Sequence, residues 1–121
     1  VQVAKPSKPK TKRVPRGQKT PRKEFWLPIL TALEAMDGRG RGSEVIDRVE
    51  KMVKQRLKEA DWDVLSDGRT IRWRNTAQWA RYDMVQQGLL ASDSPRGIWE
   101  ITEAGRAYLR EHQAKIGQDA D

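Results

Sequence analysis

The chain has 121 residues, enough for one compact domain, and its 24 Lys/Arg against 17 Asp/Glu give a net charge of +7, a balance that favours an anionic partner. It holds no cysteine and one histidine, which excludes disulfides, thiolate metal sites and multi-histidine centres. No apolar run approaches the roughly 20 residues of a membrane span, and the N-terminus lacks the apolar centre of a secretory signal. A start at Val1 fits either processing or derivation from a longer chain.

The charge is unevenly placed. Residues 1–23 carry nine Lys/Arg and no acid, which leaves 15 against all 17 acids, a net of −2, in residues 24–121. The same opening stretch holds Pro6, Pro9, Pro15 and Pro21 and almost no large apolar side chain. It has too little surface to bury against its ordering entropy, so we read it as a disordered, basic, Pro-rich arm.

A first helix is expected from about Glu24 to Met36, with Pro28 tolerated in its opening turn and Leu27, Leu30, Leu33, Ala35 and Met36 toward a core. The run Asp37-Gly38-Arg39-Gly40-Arg41-Gly42 ends it as a flexible inter-helix turn. A second helix is predicted from about Ser43, its N-cap, to Ala60, with Val45, Val49, Met52, Val53, Leu57 and Ala60 on one stripe. Trp62, Val64 and Leu65 follow as an irregular piece, and Asp67-Gly68 as a turn.

From Arg69 to Leu109 the order is a basic helix, an exit at Gly88, a strand-turn-strand and a capped helix. The helix, read over Arg69 to Gln87, puts Arg69, Arg72, Arg74, Asn75, Gln78 and Arg81 about its first half. Leu89-Leu90, the turn Asp93-Ser94-Pro95-Arg96-Gly97 and the alternating Ile98-Trp99-Glu100-Ile101 make a hairpin of about a dozen residues. Thr102-Glu103 then caps a last helix to about Ile116, with Tyr108, Leu109, His112 and Ile116 on its apolar side, and residues 117–121 form a polar end. The fold class predicted is mainly α with a small β-hairpin wing: a winged helix-turn-helix over residues 24–116, behind the arm.

Nothing points to catalysis. His112, on an apolar stripe, is expected to pack rather than react. The Asp/Glu-x-Lys pair of metal-dependent nucleases is absent, and Asp61 and Asp63 read as a solvated loop. We expect no enzyme activity and no cofactor. Trp26, Trp62, Trp73 and Trp99 are expected to pack round the core, with Trp79 at the edge of the third helix's apolar stripe.

The polar side of that third helix carries Asn75, Gln78, Tyr82 and Gln86 rather than the Glu/Lys mixture of an ordinary solvated face. Asn and Gln can read adenine and Arg can read guanine in a major groove. Arg39 and Arg41 precede a helix N-terminus, where phosphate contact is electrostatically favourable, and Arg96 tips the hairpin, where a wing meets backbone or minor groove.

Phe25 to Leu109 resembles the N-terminal winged-helix domain of Mrr-type restriction proteins. The resemblance rests on Leu27-Pro28-Ile29-Leu30 with Leu33, on Glu44-Val45, on Arg74-Asn75-Thr76-Ala77-Gln78-Trp79-Ala80 with Gly88-Leu89-Leu90, and on Arg96 to Gly105. It implies a DNA-targeting module of a restriction or defence system, placed ahead of a nuclease domain. The expected partner is therefore double-stranded DNA, in the cytoplasm at the nucleoid. The site residues expected are Arg72, Arg74, Asn75, Gln78, Arg81, Tyr82, Arg96, Arg39 and Arg41. The alternative is a protein-interaction module that docks a partner subunit.

Overall fold

The computed structural model describes residues 19–120, with side chains placed as far as Gln113; residues 1–18 of the arm and the Ile116 side chain lie outside the described residues. A 3-10 turn, Arg22–Phe25, runs into helix α1, Trp26–Ala35. Strand β1, Arg39–Arg41, continues directly into α2, Gly42–Val53, and a 3-10 turn at Glu59–Trp62 leads to α3, Arg72–Gln86. Strand β2, Ile98–Glu100, and helix α4, Glu103–Ala120, complete the chain. The result is a mostly helical domain with a small antiparallel sheet, the winged helix-turn-helix expected.

The core forms where the helical stripes meet. α1 contributes Ile29, Leu30, Ala32 and Leu33, with Phe25 just ahead of it; α2 contributes Val45, Ile46, Val49 and Val53, and α3 contributes Trp73, Ala77, Ala80 and Met84, all buried. Trp73 is its largest member. Phe25 stacks on it at 6.1 Å, and Trp62 meets it edge-on at 6.2 Å while staying 39% exposed. Pro28 sits in the first turn of α1, where the missing N–H would lack an intrahelical partner anyway. Ala35, expected inside, is exposed.

α2 differs from its expected span at both ends. Its N-cap is Arg41, in extended conformation, and Gly42 is its first helical residue, because β1 delivers the chain straight into the helix. A Cβ at Gly42 would lie 2.6 Å from the Trp99 Nε1, so the glycine lets the helix start against the indole. At the other end the helix stops at Val53: Arg56 and Leu57 N–H groups both return to the Val53 carbonyl at 2.7 and 3.1 Å. Met52 is 40% exposed, Ile46 is buried, and Ala60 belongs to the next 3-10 turn.

The Gly-Arg run is a strand, not a flexible turn. β1 pairs antiparallel with β2 in the register Arg39↔Glu100, Gly40↔Trp99 and Arg41↔Ile98. The other edge of β2 takes the hairpin's first arm through the Leu90↔Ile101 bridge and an Ala91 N–H to Glu100 carbonyl bond of 2.8 Å. β2 is thus held from both sides, and its main partner lies about sixty residues upstream rather than across the hairpin.

α3 ends as the sequence requires. Gly88 takes φ +79°, and the Gly88 and Leu89 N–H groups close back onto the Val85 and Met84 carbonyls at 3.1 and 2.8 Å, the paired bonds of a Schellman motif. Thr102 caps α4, its Oγ1 accepting the Gly105 N–H at 3.0 Å and donating to the Gly88 carbonyl at 2.6 Å. One hydroxyl therefore joins the end of α3 to the start of α4. α4 runs past the expected Ile116 to Ala120, and His112 stacks on Tyr108 with ring centroids 3.9 Å apart.

The start of the folded body also differs. Asp61, read as solvated, is fully buried and accepts the Thr20 N–H at 2.8 Å, the Thr20 hydroxyl at 2.7 Å and the Lys58 N–H at 2.8 Å. Thr20 and Arg22, which sequence reasoning gave to the arm, are docked on the domain.

Candidate nucleic-acid interface

With Trp73, Thr76, Ala77, Ala80 and Met84 turned inward, the 3.6-residue period of α3 points Asn75, Gln78, Tyr82 and Gln86 outward. Gln78, Tyr82 and Gln86 are exposed and Asn75 is half-buried. Trp79 and Tyr82, each about half exposed, meet edge to face at 5.8 Å. The helix thus presents amides and aromatic edges to solvent.

Its two flanks are different. On one flank Arg81 lies over the Trp99 ring at 5.8 Å, which ties the helix to the wing. Arg74 on the same flank reaches α2, bonding Glu50 at 2.6 Å and Asp47 at 3.3 Å. The other flank carries Arg72, Trp79 and Asp83, at i, i+7 and i+11, and the segment Thr20 to Arg22 lies against it. Arg22 donates Nε to Asp83 at 2.9 Å and sits over Trp79 at 5.6 Å. The carboxylate, chiefly by its hydrogen bond and less by its charge, holds the guanidinium above its ordinary pKa against the opposing desolvation.

Beside the wing, Arg41, Ser43, Gln78 and Arg96 open onto one shallow depression lined also by Trp99. Three elements meet there: the start of α2, the middle of α3 and the turn before β2. Among the described residues Arg39, Arg41 and Arg96 form no ion pair, and all three are exposed. Their charge is directed to solvent next to the amides of α3 and the N–H groups that open α2, a combination suited to phosphate.

The sequence-predicted site residues divide accordingly. Gln78, Arg41 and Arg96 come together, with Asn75 and Tyr82 on the adjoining outward face and Arg39 at the far end of β1. Arg72 does not join them: it is 8% exposed, donates Nε to the Ala60 carbonyl at 3.1 Å and lies 3.7 Å from Asp63. Its burial removes it from the exposed face of α3. Arg74 and Arg81 stand at the border, one held by acids and the other by Trp99. Arg69 is exposed in the turn before α3. Sequence reasoning missed Ser43 as a lining residue and Arg22 as a neighbour of Trp79; the first signal was its place at a helix start, the second had none.

A winged helix-turn-helix with an amide-bearing third helix and unpaired arginines at its wing defines the class of protein. Residues 23–111 match the family model of the Mrr N-terminal domain, and the chain belongs to that family. This is an N-terminal domain of restriction-associated proteins, not a nuclease domain. No curated protein and no solved structure matches the chain. Among the described residues no helix is long and apolar enough to cross a membrane, and no cluster of His, Cys, Asp or Glu could hold a metal ion.

Proposed function

We propose that this domain binds duplex DNA as the targeting part of a restriction system, with the outward face of α3 in the major groove and the wing on the backbone. The observation that carries this reading is the convergence of Arg41, Gln78 and Arg96 on one depression from three separate elements. In such a mechanism the amides of Asn75 and Gln78 read base edges, Tyr82 packs against them, and Arg41 and Arg96 neutralise the phosphates on either side of the groove. The upstream Lys and Arg residues add sequence-independent attraction.

Selection from a random duplex pool, followed by titration of the full chain, tests it. The expected result is an enriched site bound at least about 10³-fold more tightly than random duplex. Failure to bind any duplex overturns it. A second reading, docking of a partner subunit, is favoured by a different observation: an open depression lined by Leu27, Pro28, Met52, Tyr108 and His112, with no contribution from α3 or the wing.

A further inference from the structure

We propose that the depression beside the wing seats a single phosphate group, and that the indole N–H of Trp99 is one of the donors that hold it. The inference rests on the duplex-binding reading for the source of that phosphate, and it adds the place on the domain where one backbone phosphate is fixed.

Trp99 is only 5% exposed, yet among the described residues its Nε1 has no hydrogen-bond partner. The pyrrole edge faces the first residue of α2, where a Cβ would come within 2.6 Å of Nε1. Because that residue is Gly42, no side chain covers the N–H, and both residues line the depression. An indole N–H largely withdrawn from water and left without an acceptor carries a desolvation cost. An acceptor supplied from outside removes it. Arg81 lies over the same ring at 5.8 Å and adds positive charge behind it.

The start of α2 brings free donors to the same place. The Gly42 N–H is spent on the Gly97 carbonyl at 2.9 Å, which ties the turn of the wing to the helix. Ser43, the second helical residue, has no intrahelical acceptor for its N–H, and no side chain caps the helix. Its side chain is exposed, and among the described residues its hydroxyl makes no hydrogen bond. Gln78 adds an amide from α3, and Arg41 and Arg96 add guanidinium groups at the rim. None of the residues lining the depression is acidic. Donors from three elements thus converge where a helix dipole and free cations already favour negative charge, which is the chemistry of an oxyanion seat. Phosphate is the oxyanion that a duplex presents along its whole length.

The chain has five tryptophans, whose indole N–H signals are followed in a nitrogen–proton correlation spectrum of the full chain; the signal lost in Trp99→Phe is that of Trp99. Sodium phosphate is titrated in at fixed ionic strength, with sodium chloride and sodium acetate as comparison salts. We expect the Trp99 indole and the Ser43 backbone N–H to move saturably with phosphate while the remaining indoles stay in place, and neither comparison salt to reproduce the shift. Trp99→Phe should weaken the phosphate response of the Ser43 N–H about tenfold or more, the loss of one hydrogen bond to a charged group. Ser43→Ala keeps the ring and the backbone N–H, should weaken the response of the indole several-fold, and covers the event that Trp99→Phe fails to fold. With the selected duplex, phosphates are replaced one at a time by uncharged methylphosphonate. The indole shift should then vanish at one backbone position for each bound domain.

A Trp99 indole indifferent to phosphate overturns the inference. So does an equal shift with acetate, which would give the seat to a carboxylate, or a duplex-induced shift that survives every methylphosphonate. Duplex binding that leaves the indole unmoved also overturns it, and leaves the duplex-binding reading intact. If phosphate moves the indole but no duplex binds, the seat stands with free phosphate or a phosphomonoester as its source, and the duplex-binding reading falls.

Discussion

Gly42 stands directly under the indole of Trp99: a Cβ there would come within 2.6 Å of Nε1 and 2.8 Å of Cε2. The first residue of α2 and the middle residue of β2 thus share one volume, and the wing is fixed to the helix pair by that contact. Gly42→Ala gains helix propensity of roughly 1 kcal/mol but must displace a buried ring, an overpacking cost of about 1–3 kcal/mol. We expect net destabilisation. Trp99→Ala should cost about 3–5 kcal/mol; denaturant titration of both variants ranks them, and a Gly42→Ala protein more stable than the parent would break the account.

Arg72 and Arg96 should fail in opposite ways. Arg72→Ala removes a charged donor from the Ala60 carbonyl, which keeps the Asp63 N–H, and takes a buried side chain out of its packing; it should lower stability by about 1–3 kcal/mol. Arg96→Ala should leave the melting temperature unchanged, weaken binding to all duplexes alike and reduce the log-log salt slope by about 0.9. Thermal unfolding and duplex titration on the same two proteins check this.

On the proposed duplex-binding reading, base recognition falls to the outward amides of α3. Gln78→Ala or Asn75→Ala should cost about 1–3 kcal/mol on a selected site and much less on random duplex. Equal losses on both duplexes would make these side chains backbone contacts.

On the same proposal, deleting residues 1–18 should flatten the salt dependence and spare discrimination between sites, because Lys and Arg charges pair with phosphate whatever the base sequence. For every phosphate that the deletion leaves without its cation, the slope should fall by about 0.9. A slope unchanged by the deletion would leave the segment without a part in binding.

Asp67 supplies a pH test. The Thr70 hydroxyl, then the Thr70 and Arg69 N–H groups, hold its carboxyl down to about 2 from an ordinary 3.8. Because the folded value lies below the unfolded one, the stabilisation is fully present above about pH 3.8 and is lost as pH falls through about 2. Melting temperatures across that window should drop more for the parent than for Thr70→Val, and parallel curves would refute the assignment.

Much of this fold was legible because local chemistry and tertiary packing agree. The apolar stripes of α1, α2 and α3, the Gly88 exit and the Thr102 cap are all written within a few residues of where they act. What escaped depends on partners far along the chain. Gly-Arg-Gly-Arg-Gly has no alternating apolar pattern, and only Glu100, Trp99 and Ile98 opposite make it a strand. Asp61 is buried because Thr20, 41 residues away, returns to it. Arg72 and Arg74 are alike in sequence, yet one is turned into the core beside Ala60 and the other toward the acids of α2. In the candidate site, residue type identified Gln78, Arg41 and Arg96, whereas their meeting at one depression was visible only in three dimensions.

The sheet has one further property. β2 is covered on both edges, so β1 carries the outer edge, and a free strand edge is a template on which another chain can add. Here that edge is three residues long, with Arg39 and Arg41 exposed at its two ends. Like charges brought opposite one another destabilise strand pairing, so these two arginines oppose edge-to-edge pairing of two copies. Arg39→Val with Arg41→Val should therefore make the protein self-associate on concentration, even in the absence of nucleic acid.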